Sequence, residues 1–150
     1  MSKLIGMGPP TTEPVGLQLT RTAKAVNRAF DDALGEVGGT LPTWLILVSL
    51  KGQQHGAQRD IAAAVGVEGP TLTHHLNRLE NQGLVRRSRD PENRRVHRVV
   101  LTDAGEAAFF RMLGAVQAFN RRLQAGLSER QLTALEHALG RLRDNVQPVD

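Results

Sequence analysis

Thr71, His74 and Arg78 recur at steps of three and four, so on a helix turning about 100° per residue they share one face. A hydroxyl, an imidazole and a guanidinium side by side can hydrogen-bond to base edges or to phosphates. Leu72, Leu76 and Leu79 mark the opposite, apolar face of the same stretch, residues 70–82. Pro70 suits the first turn, where a fixed φ helps and no amide is needed, and Gly83 suits the far end.

The other constellations of reactive side chains promise less. His74 and His75 are neighbours about 100° apart on a helix and do not converge as ligands at i and i+4 do. His55, His97 and His137 stand alone, there is no HExxH, and the chain has no cysteine. No metal, cofactor or thiol chemistry is therefore expected. The acid pairs Asp31-Asp32 and Asp103/Glu106 fall near expected helix ends and read as structural, Asp103 and Glu106 being favourable near the positive end of theirs. No Ser/His/Asp spacing and no glycine-rich phosphate loop supports catalysis, so the chain does not read as an enzyme.

The elements that must position the polar face follow from the flanking residues. Ile61, Ala62 and Val65 give residues 58–65 a second apolar stripe, and Gly66 closes it. The connection 66–69 is too short for helices lying side by side but suits a steep crossing, the geometry of a helix-turn-helix. After Gly83, residues 84–89 and 96–101 read as strands around a turn at 90–95 containing Pro91 and Asn93. This hairpin carries six arginines against Asp90 and Glu92, a surplus equal to the whole chain's net charge of +4. Placed beside the polar helix, that surplus points to a polyanion. Four phenylalanines and one tryptophan are too few aromatics to favour stacking on single-stranded bases.

Outside this centre the chain reads as helices. Residues 1–14 hold three prolines and read as a flexible tail. Leu19, Ala23, Val26, Phe30, Ala33 and Val37 step by four and three, a seam narrow enough for a partner helix. Pro42 opens a short apolar helix carrying Trp44. Thr102 can cap a helix running to Gly126, about 35 Å long. Ser128 and Gln131 form a capping box for the last helix, where Leu132, Leu135, Leu139, Leu142 and Val146 repeat the seam. The terminal seams could cover their own core, but a compact centre would leave them little to bury against, so twofold pairing is expected. No apolar run of 18 residues occurs, and a cytoplasmic protein is expected.

From Pro14 to Val146 the sequence resembles the MarR family of transcriptional regulators, of the type that includes SlyA. The resemblance rests on PVGLQLTRTAK, on LPTW, on VGVEGPTLTHHLNRLENQGLVRR and on RDPENRRVHRVVLTDAG. It implies a mainly α fold with a small β-hairpin wing: a winged helix-turn-helix at 42–101 between dimerisation helices at 15–38 and 103–147, one domain over 15–150. It also implies a homodimer on a pseudo-palindromic duplex, with Pro70, Thr71 and His74 at bases in the major groove. Thr73 and Arg78 fall at phosphate or supporting positions, and Arg94 and Arg95 fall in the wing, Arg95 matching the residue that enters the minor groove. Asn93 stands where the family usually has an aspartate bracing that arginine. His74 stands where arginine is frequent, and a neutral imidazole cannot grip guanine bidentately.

Family members often release DNA on binding small phenolic or aromatic ligands, for which Phe30, Trp44 and Phe109 are the candidates here; the same three could equally be core. The expected function is that of a sequence-specific, ligand-responsive repressor. The competing reading is a nucleoid-type architectural protein with neither operator nor effector.

Overall fold

The computed structural model describes residues 12–52 and 56–149. The expected tail at 1–14 lies outside the described residues except for Thr12, Glu13 and Pro14. The chain divides into two units, Met1–Val116 and Gln117–Asp150. The described elements are helices α1 (Val15–Gly35), α2 (Leu41–Gly52), α3 (Gln58–Val65), α4 (Gly69–Asn81), α5 (Asp103–Gln124) and α6 (Glu129–Val146). The strands are β1 (Gly56–Ala57), β2 (Val85–Arg89) and β3 (His97–Leu101).

In the first unit, α3 and α4 form the helix-turn-helix. Gly66 ends α3 with φ 78°, and its N–H donates to the Ala62 carbonyl at 2.9 Å. A side chain would be strained at that backbone angle, which is why glycine stands there. Pro70 sits in the first turn of α4, where its missing N–H costs nothing. Past the other end Gly83 has φ 75°, and the Leu84 N–H returns to the Leu79 carbonyl at 2.9 Å, which aims the chain into β2.

β2 and β3 pair antiparallel from Val85↔Leu101 to Arg89↔His97. The hairpin is expected from the sequence; β1 is not. Residues 51–57 read as a polar loop, yet Gly56 and Ala57 pair with Val99 and Arg98, giving the order β1-β3-β2. Two residues are too few to show an alternating pattern, so only the free edge of β3 explains this strand.

Two clusters make the core of this unit. Ile46, Leu50, Ile61, Leu72, Leu76, Leu79, Val85 and Val99 hold the helix pair to the hairpin. Leu34, Leu47, Ala108, Phe109 and Met112 join α1, α2 and the start of α5. Leu84 and Leu101 pack against both clusters, so the root of the hairpin is shared between them. The α1 seam is half open: Leu19 is exposed, while Leu34, which lies off the seam, is fully buried. Lys51 of α2 reaches Glu106 of α5 at 2.6 Å.

In the second unit, Gly126 (φ 83°) turns the chain between α5 and α6. The capping box forms as expected: the Gln131 N–H donates to Ser128 Oγ at 3.1 Å and the Ser128 N–H to Gln131 Oε1 at 2.9 Å. No residue of α6 is buried, and Leu135, Leu139 and Val146 of its seam are exposed. Among the described residues no helix is long and apolar enough to cross a membrane.

Candidate nucleic-acid interface

The leucines of α4 fix which of its residues face out. Leu72 and Leu76 are 0% exposed and Leu79 2%, so the helix is locked in rotation about its own axis. Pro70, Thr71, His74 and Arg78 are all exposed in consequence. Thr73 is different. Its hydroxyl accepts from Gln58 Nε2 at 2.8 Å and donates to the Gly69 carbonyl at 3.1 Å. That half-buried pair ties the start of α3 to the start of α4, so Thr73 supports the presented face.

The hairpin arginines separate into two groups that the sequence does not distinguish. Arg98 donates to Asp90 Oδ2 through Nη2 at 2.7 Å and Nε at 2.9 Å. Arg87 reaches Glu80 Oε1 at 3.1 Å and also bonds Asn77 Oδ1, both on α4. Arg89 donates to the Arg94 carbonyl at 3.1 Å, which shapes the turn. Arg86, Arg94 and Arg95 are exposed, and among the described residues no salt bridge holds them. The positive surplus is therefore spent partly on structure, and its free part includes the wing tip.

The tip is built by short polar contacts. The Glu92 N–H donates to Asp90 Oδ1 at 2.9 Å, and the Asp90 and Val96 N–H groups close the turn on the Val96 and Asn93 carbonyls, each at 2.9 Å. Asn93 Oδ1 accepts the Arg95 N–H at 3.2 Å. Asn93 thus fixes the backbone at Arg95 and does so without a carboxylate for the guanidinium.

A groove of about 460 Å³ runs between the helix pair and the wing. Gln58, Arg59 and Thr73 line one side and Asn93, Arg95 and His97 the other. The start of α4 and the wing arginine therefore border one concave, cation-lined surface. Arg59 and His97 are not among the residues that the sequence points to; Arg59 has Asp60 beside it in the sequence, 4.0 Å away in the structure, and only the fold turns it toward the wing.

Both wing-associated carboxyls are held below their ordinary range. Asp90 is lowered by the Glu92 N–H and then by the Arg98 guanidinium. Glu80 is lowered by the Arg87 side chain and then by the Arg87 N–H. A carboxyl depressed in the folded state adds stability that is complete above its unfolded pKa and lost as pH falls through its folded one. The wing is therefore expected to stay constant from about pH 8 down to 5 and to loosen only below about pH 4. Amide exchange at residues 90–96, followed by NMR, should show protection disappearing only in that acidic range.

Of the three residues considered for a small ligand, Trp44 and Phe109 stack with ring centroids 5.6 Å apart and planes 8° off parallel. Phe30 and Trp44 are partly buried against the second core cluster, and Phe109 belongs to it.

Comparison with known proteins agrees with this geometry. The model of the MarR family matches residues 40–97. The transcriptional repressor CouR, solved bound to a 23-mer DNA duplex, is 29% identical over 87% of this chain and 92% of its own, with a TM-score of 0.79. BpsR of Bordetella bronchiseptica, solved in a study of how 6-hydroxynicotinic acid regulates its DNA binding, is 25% identical over 91% of this chain and 99% of its own, with a TM-score of 0.78. A probable transcriptional regulator from Pseudomonas aeruginosa is 28% identical over 87% and 97%, with a TM-score of 0.76. Its winged helix-turn-helix thus matches the model of the MarR family over residues 40–97, and over most of its length the chain is similar to solved transcriptional regulators.

Proposed function

We propose that the protein is a homodimeric repressor that reads a pseudo-palindromic duplex and leaves it when a small aromatic ligand binds. The observation that carries this reading is the shared groove: the start of α4 and Arg95 of the wing face it together. A helix presenting Pro70, Thr71, His74 and Arg78 fits the major groove, with Thr73 as its support. Arg95 reaches the adjacent minor groove, where a narrow, electronegative A·T tract attracts arginine, and its neighbour Arg94 meets the phosphates beside it. Two such lobes about 34 Å apart engage successive major grooves on one side of a duplex.

The exposed seam of α6 supports pairing, since Leu135, Leu139 and Val146 form an apolar row that is exposed among the described residues. Trp44, Phe109 and Phe30 supply an aromatic wall beside the root of the hairpin, where an inserted ring would alter the spacing of the lobes. CouR and BpsR lend precedent, one as a repressor held on DNA and the other as a protein whose DNA binding answers to a small heteroaromatic acid.

Selection of duplexes from a random pool, followed by competition against random DNA, tests the reading. A preference of about 10³ or more for the selected duplex is expected, with sedimentation giving twice the chain mass. Equal affinity for random DNA would establish the architectural alternative, and a single-chain mass would remove the twofold geometry.

A further inference from the structure

The contacts of Arg87 are not those of a residue waiting for phosphate. Its side chain lies under the hairpin, 21% exposed against 38% for that of Glu80. Nη2 bonds Glu80 Oε1 at 3.1 Å and Asn77 Oδ1, while the Arg87 N–H donates to Glu80 Oε2 at 3.0 Å. Three directional bonds therefore join β2 to α4 at one point. The buried apolar cluster that includes Leu79 and Val85 holds the same elements together but is non-directional and sets no angle. Asn77 adjoins Arg78 and lies one turn from His74, so the bonded side of α4 borders its exposed face.

We propose that Arg87 is a positioning residue for DNA recognition: bridging Asn77 and Glu80, it sets the wing at a fixed angle to α4 so that His74 and Arg95 meet one duplex together. The proposal rests on the DNA reading above. The lever is short but sufficient. From Arg87 to the end of β2 and into the turn is about 10 Å, so a tilt of about 10° at the bridge displaces the tip by about 2 Å. A displacement of that size takes a guanidinium out of hydrogen-bond range. The bridge also accounts for an arginine and a glutamate that neither the exposed reading face nor the wing tip uses.

The test is a mutant cycle on the duplex selected by the wild-type protein. Arg87→Lys keeps the charge but cannot span two acceptors in the same fork. Asn77→Ala removes one arm of the bridge without changing charge. If Arg87 positions the wing, Arg95→Ala should weaken binding about tenfold to a hundredfold in the wild-type background and less than about threefold beside Arg87→Lys or Asn77→Ala. Glu80→Gln should weaken binding too, because it loosens the bridge. Thermal melts on every variant confirm that the compared proteins are folded. An Arg95→Ala penalty equal in all backgrounds would overturn the proposal, as would tighter binding by Glu80→Gln, since that would mean Arg87 had been freed for phosphate. Failure to enrich any duplex is a separate result: it removes the DNA reading, and the positioning role with it.

Discussion

Gly105→Ala is expected to destabilise the fold by about 3 kcal/mol or more, a fall in melting temperature of about 6–12 °C for a chain of this size. A Cβ at this position would lie 2.0 Å from the Leu84 carbonyl oxygen and 3.1 Å from Leu101 Cδ2. The first neighbour is backbone, so no rotamer change relieves the overlap. That carbonyl already accepts the Thr102 N–H at 3.1 Å, and Thr102 Oγ1 donates to the Gly83 carbonyl at 2.6 Å. The Gly105 N–H donates to Thr102 Oγ1 at 3.0 Å, so the start of α5 is fastened to the root of the wing by the bonds that a methyl group would push apart. Gly114, in the same helix, has nothing within 4 Å of its notional Cβ. Gly114→Ala should therefore stabilise, by about 0.5–1 kcal/mol. Circular dichroism melts of the two variants should move in opposite directions. A Gly105→Ala melt within a degree or two of wild type would contradict the close approach.

Arg95→Ala should reduce affinity for the selected duplex about tenfold to a hundredfold, with the larger loss at A·T-rich flanks. The exposed guanidinium borders the groove shared with α4, and its backbone is held by Asn93. Deleting one cation that touches a phosphate lowers the slope of log K against log salt by about one, and Arg94→Ala should show that effect. Asn93→Asp would place a carboxylate beside the wing, and if it braces the guanidinium it should tighten binding. Fluorescence titrations across a series of salt concentrations read both quantities. Affinity for every duplex unchanged by Arg95→Ala would place the minor-groove contact elsewhere.

Much of the fold is legible from residue spacing because local chemistry decides it. Gln58–Val65 is bounded by the residues that its stripe and Gly66 imply, and Ser128 with Gln131 marks the start of α6 to the residue. Pairing in space is less visible. The arginines at 86, 87, 89, 94, 95 and 98 look alike as charges, and only the hairpin register sends Arg87 toward α4 and brings Arg98 to Asp90. Leu34 shows the same limit: the 3-4 seam of α1 describes one face, while the packing of α2 and α5 selects a position beside it. β1 has no pattern of its own and exists because β3 has an edge to fill.

Trp44 is the chain's single tryptophan, and there is no tyrosine. Its near-parallel stack on Phe109 places the whole indole emission at the seat of α2 against α5. An optical signal from the unlabelled protein is therefore a local report on that seat, silent about the wing except through changes transmitted across the root of the hairpin.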